Sequence, residues 1–122
     1  MQDTNYQYDL ALKVLELCQT VEEGLEYLKM QIGSGKMENI GYLFLDIGNA
    51  VMAISNSLEA FTDDRTKMDA AFSSVDDSLR VMIDLYSEQS FEQALVELQY
   101  LLMPAFDTWQ DSLREYLQPY FQ

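Results

Sequence analysis

The 122-residue chain contains no histidine, one cysteine and two prolines. Without histidine it cannot form a Ser-His-Asp triad, a Cys-His pair or the Glu-x-x-His motif of di-iron helical bundles. The single cysteine, Cys18, can neither close an internal disulfide nor supply the paired thiolates of a zinc site. We expect Cys18 to be a buried, unreactive thiol in a protein of a reducing cytoplasm.

Basic residues are also scarce, with seven Lys and Arg against 21 Asp and Glu and a formal net charge of -14. A surface of this charge repels phosphate backbones, which excludes nucleic acid as a primary ligand. No run approaches the ~18 apolar residues of a membrane span, and the first residues lack the basic and apolar segments of a signal peptide. We expect a single cytoplasmic domain, residues 1–122, without a nucleic-acid or membrane partner.

The most regular feature of the chain is the spacing of its apolar side chains. They recur at alternating steps of three and four residues, which is the spacing of one face of an α-helix. The first run, from Ala11 to Ile32, predicts a helix over about residues 5–32. Gly33-Ser34-Gly35 follows, with Gly33 as the expected C-cap, and the next run predicts a second helix over about residues 37–61.

Two further helices are predicted in the second half of the chain. Apolar residues from Met68 to Tyr86 indicate the third, and Ser90-x-x-Gln93 has the form of a capping box that opens the fourth. The core positions that follow are expected to be Phe91, Ala94, Leu98 and Leu101. Pro104 lies within this pattern and predicts a kink. The sequence therefore predicts an all-α protein, an antiparallel four-helix bundle built from two helical hairpins.

The two predicted hairpins resemble each other at an offset of about 54 residues. This offset pairs Val21 with Val75 and Leu25 with Leu79. It also brings the break after the first helix into line with the break before the fourth. We interpret the resemblance as an internal duplication of one helical hairpin.

The segment between the hairpins leaves two interpretations open. Residues 62–67 are all polar but include neither glycine nor proline, so the second and third helices could form one continuous rod that requires dimerisation. We favour a break, because Thr62, Asp63 and Asp64 are all good N-cap residues.

Small residues recur every seven positions in the second helix, at Gly41, Gly48 and Ser55. Glycine inside a helix costs about 1 kcal/mol relative to alanine, so a close approach of another helix is expected to compensate. On this interpretation, Gly48→Leu would strongly destabilise the fold.

One short motif suggests phosphate chemistry. Gly33-Ser34-Gly35-Lys36 is rich in glycine but lacks the spacing of a phosphate-binding loop, and Met37 stands where Ser or Thr is required. A helix–helix turn is the favoured interpretation.

A second short motif suggests metal chemistry. Glu23-Gly24-Leu25-Glu26 resembles the first half of the E-x-x-E…E-x-x-D pattern of magnesium-dependent nucleotide pyrophosphohydrolases, which are all-α enzymes. The resemblance implies a magnesium ion shared by Glu23, Glu26 and a carboxylate of a neighbouring helix. The second half of the pattern is not matched, because Glu38 is followed three residues on by Gly41.

The remaining signal is a surplus of apolar side chains outside the predicted core. The chain has seven Met and eight Tyr, and such side chains form adaptable contact surfaces. The candidate partner-binding residues are Tyr27, Met30, Tyr42, Leu45, Met52, Tyr100 and Phe106.

We therefore expect a non-catalytic interaction module, an adaptor or chaperone-like bundle that presents this apolar face to a basic or amphipathic helix of a protein partner, or to itself as a homodimer. No catalytic residue, cofactor or metal site is expected. The alternative is an all-α magnesium-dependent enzyme that uses Glu23 and Glu26.

Overall fold

A computed structural model describes residues 2–36 and 40–121, and the side chains of residues 6–36 and 40–121. Nearly all of these residues are helical and none is in a strand, which confirms the all-α prediction. The helices are α1 (Gln2–Gly33), α2 (Gly41–Ser57), α3 (Thr66–Ser87), α4 (Phe91–Glu97) and α5 (Met103–Leu117). A π-helical segment, Leu98–Leu102, joins α4 to α5, so residues 91–117 form one long helix. The predicted start of the second helix at 37 lies outside the described residues.

The core is built from the positions that the three-and-four spacing selects. In α1 the buried residues are Ala11, Val14, Cys18, Val21, Leu25, Leu28 and Ile32. This helix packs mainly against α2, and α3 packs mainly against α5 and α4. All the helices contribute to one continuous hydrophobic core. The antiparallel hairpin arrangement and the internal duplication stay predictions.

Helix α1 ends in a Schellman motif, in which Gly35 and not Gly33 occupies the left-handed position. Gly35 has a φ of +73°, and the amide of Lys36 donates to the carbonyl oxygen of Gln31 at 2.8 Å. The predicted C-cap is therefore displaced by two residues, because the helix continues through Gly33 before it turns.

Helix α3 ends with the same hydrogen bonds without a glycine. The amide of Ser90 donates to the carbonyl oxygen of Leu85 at 2.8 Å, and that of Gln89 to Tyr86 at 3.0 Å. Gln89 has a φ of 60° and occupies the position that Gly35 occupies in the first turn. The two turns thus lie 54 residues apart, which is the offset at which the sequence pattern repeats.

Gln89→Gly is expected to raise the free energy of unfolding by about 0.5–1 kcal/mol, because a side chain at positive φ is strained and glycine is not. Gly35→Ala is the matched control and is expected to destabilise, since it introduces that strain at the equivalent position. Thermal unfolding followed by circular dichroism measures both. A Gln89→Gly protein that melts below the wild type would contradict the expectation.

The predicted break between the second and third helices is confirmed. After α2 a short 3₁₀ turn, Leu58–Ala60, leads into an extended residue, Phe61. Phe61 is buried, and its ring contacts that of Tyr120 with centroids 4.8 Å apart. The Asp64 side chain accepts hydrogen bonds from the amide of Thr66 at 3.0 Å and its hydroxyl at 2.6 Å, which starts α3.

The long helix of residues 91–117 begins where the sequence predicts, but without the predicted cap. Ser90 is the N-cap of α4, but its side chain makes no capping hydrogen bond, so the predicted capping box does not form.

A π-helical segment precedes Pro104, where the sequence predicted a kink. Pro104 lies in the first turn of α5, directly after this segment, and the amide of Met103 donates to the carbonyl oxygen of Leu98. The wider π turn advances the helix by more residues per turn than an α turn does. The core positions therefore shift: Leu102 is buried, whereas Leu101, predicted to be in the core, is 56% exposed.

The predicted close helix approach at the glycines of α2 is wrong. A Cβ atom on Gly48 would find no heavy atom nearer than the Leu79 Cδ2, at 4.0 Å, and one on Gly41 would lie 3.6 Å from the Tyr86 hydroxyl. The tight contact is at Gly24 of α1, where a Cβ would lie 3.0 Å from the Ile47 Cγ1. The strong destabilisation expected of Gly48→Leu therefore has no packing basis.

Candidate interaction surfaces

A surface concavity with a volume of about 690 Å³ lies between α1 and α5. We call it the acidic groove. It is lined by Leu15, Gln19, Glu22, Glu23, Glu26, Tyr27, Met30, Gln110 and Arg114. Two predicted partner-binding residues, Tyr27 and Met30, therefore meet in one place, and both are exposed as expected. Gln110 and Arg114 of α5 form the other side of the groove. The spacing of residues within α1 could not predict that α5 packs there.

Carboxylates border the apolar part of the acidic groove with little compensation. Glu22 accepts a long hydrogen bond of 3.4 Å from the Gln110 amide, and Arg114 is the one basic residue among the lining side chains. The two ion pairs found among the described residues, Lys67–Glu115 and Asp76–Arg80, involve no residue of this lining.

The charge of this region affects neighbouring titratable groups. Partial burial raises the pKa of the Asp107 carboxyl, and the charges of Glu22, Asp111 and Glu26 raise it further. Several carboxylates close to one another make a surface where added positive charge is favourable. Cys18 is buried in the core, and burial raises the pKa of its thiol to about 11 although the Arg114 charge opposes this. The thiol is buried, as predicted, and its raised pKa keeps it protonated at neutral pH.

A second groove, of about 490 Å³, lies between α2 and α3. We call it the neutral groove. Its described lining is Gly41, Phe44, Leu45, Gly48, Asn49, Met52, Ile83, Tyr86 and Ser87, none of which is charged. The predicted residues Leu45 and Met52 are exposed here, Leu45 by 63%. Because Gly41 and Gly48 have no side chains, the groove is recessed at these two positions. Ile83 of α3 is a further exposed residue of the lining, and only the packing of α3 against α2 places it there.

The other three predicted partner-binding residues do not join these grooves. Tyr42 and Tyr100 are exposed, Tyr100 by 70%, but line neither groove. Phe106 is a wrong prediction, since it is 1% exposed and lies in the core. The π-helical segment shifts the phase of α5 and turns Phe106 inward, onto Trp109, with ring centroids 6.1 Å apart.

The residues of the enzyme alternative, Glu23 and Glu26, both line the acidic groove. Within the part of the chain that the structure describes, no three carboxylate or cysteine side chains are grouped so that they could hold a metal ion. The magnesium-dependent activity stays a prediction.

The geometry defines a helical protein with exposed grooves between its helices, and the comparisons with known proteins give its family. The chain belongs to the family described as "Domain of unknown function (DUF8042)", whose model matches residues 9–112. No curated protein and no solved structure matches the chain. Among the described residues, no helix combines the length and apolar character needed to cross a bilayer.

Proposed function

We propose that this protein is a non-catalytic interaction module whose acidic groove binds a helix with an apolar face and basic flanks. The observation that carries the proposal is the placement of exposed Tyr27 and Met30 in one groove with Glu22, Glu23 and Glu26. A partner helix could bury its apolar side chains on the first two and place Lys or Arg beside the three carboxylates.

The spacing of these residues supports a helical partner. Glu23, Tyr27 and Met30 are separated by steps of four and three along α1 and share one face of that helix. A second helix that lies along α1 would meet them one turn at a time, in the manner of a helix in a groove. The flexible thioether of Met30 can adapt to different apolar residues of the partner.

Charge favours a basic partner over an acidic one. The whole chain carries a net charge of -14, which accelerates the approach of a cationic helix and repels an anionic one. Partial burial raises the pKa of the Asp107 carboxyl, and the negative charges of Glu22, Asp111 and Glu26 repel its charged form as well. Positive side chains of a partner would relieve this repulsion.

A designed peptide tests the proposal. We expect the protein to bind a synthetic peptide of about 18 residues, roughly 27 Å long as a helix, with leucine on one face and lysine on its flanks. Binding measured by isothermal titration calorimetry should weaken as sodium chloride is raised, because salt screens the charges. Met30→Glu and Glu23→Lys should each weaken it by about tenfold or more.

Two variants outside the acidic groove serve as controls. Leu12→Glu changes an exposed apolar residue of α1, and Asp77→Lys changes an exposed carboxylate of α3; we expect little effect of Leu12→Glu on binding and only a small, salt-screened effect of Asp77→Lys. Asp77→Lys weakening binding as much as Glu23→Lys would indicate a non-specific charge effect, and Leu12→Glu weakening it as much as Met30→Glu would show that the apolar contact is not confined to the acidic groove; either result would contradict the proposed groove. Failure to bind the peptide at low salt would contradict the proposal itself.

A further inference from the structure

Helix α2 has very few charged residues, although part of its surface is exposed to solvent. Its 17 residues include one charged side chain, Asp46, in a chain with 28 charged residues and a net charge of -14. By contrast, α3 carries Lys67, Asp69, Asp76, Asp77, Arg80 and Asp84. The face of α2 toward the neutral groove exposes Leu45 and Met52 to solvent. Such a face is typical of a surface that another molecule covers.

The order of large and small residues on this face is self-complementary. Gly41, Leu45, Gly48 and Met52 follow one another at steps of four, three and four on one side of α2. In a two-fold arrangement, a contact of residue i with residue j is repeated by j with i. When a second copy of α2 runs in the opposite direction and Leu45 faces Gly48, Met52 faces Gly41 in the same register.

We infer that the neutral groove is the interface of a homodimer, in which two copies of α2 pair in opposite directions about a two-fold axis. Leu45 of each copy enters the recess at Gly48 of the other, and Met52 enters that at Gly41. This explains two glycines in α2 at positions where a Cβ would meet the same chain only at ordinary contact distances of 3.6 and 4.0 Å. The inference goes beyond the proposed function and uses a different face of the molecule.

Charge argues for a second copy as the occupant of this face. Two copies with a net charge of -14 each repel one another over most of their surfaces, so they can associate only where carboxylates do not meet. The described lining of the neutral groove has no charged residue. A basic partner finds no carboxylate there, whereas the acidic groove offers three.

Analytical ultracentrifugation of the full chain over a range of concentrations tests the dimer. We expect a monomer–dimer equilibrium that shifts toward dimer as sodium chloride is raised, because salt screens the repulsion between the two acidic copies. This salt response is opposite to that expected for the basic peptide, so the failure of one proposal is distinguishable from the failure of the other. A monomer at every concentration and salt would overturn the inference.

Gly48→Leu tests the register of the pairing. It fills the recess that receives Leu45 and should weaken dimerisation by about tenfold or more, tenfold being about 1.4 kcal/mol. Gly33→Leu is the matched control, because a Cβ at Gly33 meets no atom within 4 Å and Gly33 lies outside α2. Circular dichroism of both variants establishes that the helices persist.

A double variant that exchanges the positions of the large and the small residue is expected to restore the complementarity of the two surfaces. In Leu45→Ala/Gly48→Leu, the new leucine of one copy faces the small residue 45 of the other, so dimerisation should recover relative to Gly48→Leu alone. Recovery supports the proposed two-fold pairing. A dimer that is unaffected by Gly48→Leu, or one that is weakened by it and not recovered by the double variant, would overturn that pairing.

Discussion

Phe106→Glu is expected to unfold the protein under conditions in which Tyr100→Glu leaves it folded. Phe106 is 1% exposed, and its ring contacts that of Trp109 in the core. Removal of a buried aromatic ring costs about 3–5 kcal/mol, and the new carboxylate adds the cost of burying a charge without a partner. Glu22, Glu26 and Asp107 lie in the adjacent cleft, so no cation compensates it. This loss approaches the whole stability of a small domain, about 5–15 kcal/mol.

Tyr100→Glu is the control for this prediction because residue 100 lies in the same long helix, one and a half turns earlier, and is 70% exposed. Urea unfolding followed by circular dichroism compares the two variants with the wild type. Equal stability of the Phe106→Glu and Tyr100→Glu proteins would contradict the buried position of Phe106.

The misplacement of Phe106 shows where the sequence pattern stops predicting the fold. Steps of three and four identify the buried residues of α1 and α2, because regular α-helices keep their phase along the chain. The π-helical segment Leu98–Leu102 changes that phase, and residues on its C-terminal side rotate relative to those before it. The three-and-four spacing therefore selected Leu101 in place of Leu102 and placed Phe106 on the surface.

The grooves were predicted only in part for a different reason. Exposure of Tyr27, Met30, Leu45 and Met52 follows from their positions on single helices, and the structure confirms it. Which of them share a groove depends on how helices distant in sequence pack, and periodicity within one helix has no information on this. The sequence pattern therefore did not predict the contribution of Ile83 to the neutral groove.

The glycines of α2 illustrate the same limit. Their regular spacing is a property of the sequence, and it predicts that something large occupies the space beside them. The expected occupant is a closely packed helix of the same chain, but in the structure α3 reaches Gly41 and Gly48 only at ordinary contact distance, and both glycines line the neutral groove. The pattern thus located the small residues correctly without identifying the molecule that they face.

Trp109→Ala is expected to lower the free energy of unfolding by about 3–5 kcal/mol, the loss typical of a large aromatic side chain removed from a core. Trp109 is fully buried between Phe72 and Phe106, with ring centroids 5.4 and 6.1 Å away. These contacts join α3 to α5, so a cavity at this position weakens the contact between the two helices as well as the packing within α5.

Trp109→Phe is expected to lose much less, by about 2 kcal/mol or less, although it also reduces the volume of the side chain. The Nε1–H of Trp109 is buried without a hydrogen-bond acceptor among the described residues, and an unsatisfied buried donor costs about 1–3 kcal/mol. Phenylalanine removes that donor and keeps an aromatic ring between Phe72 and Phe106. Urea unfolding of the two variants measures the difference, and a Trp109→Phe protein as unstable as Trp109→Ala would show that the indole nitrogen is satisfied in solution.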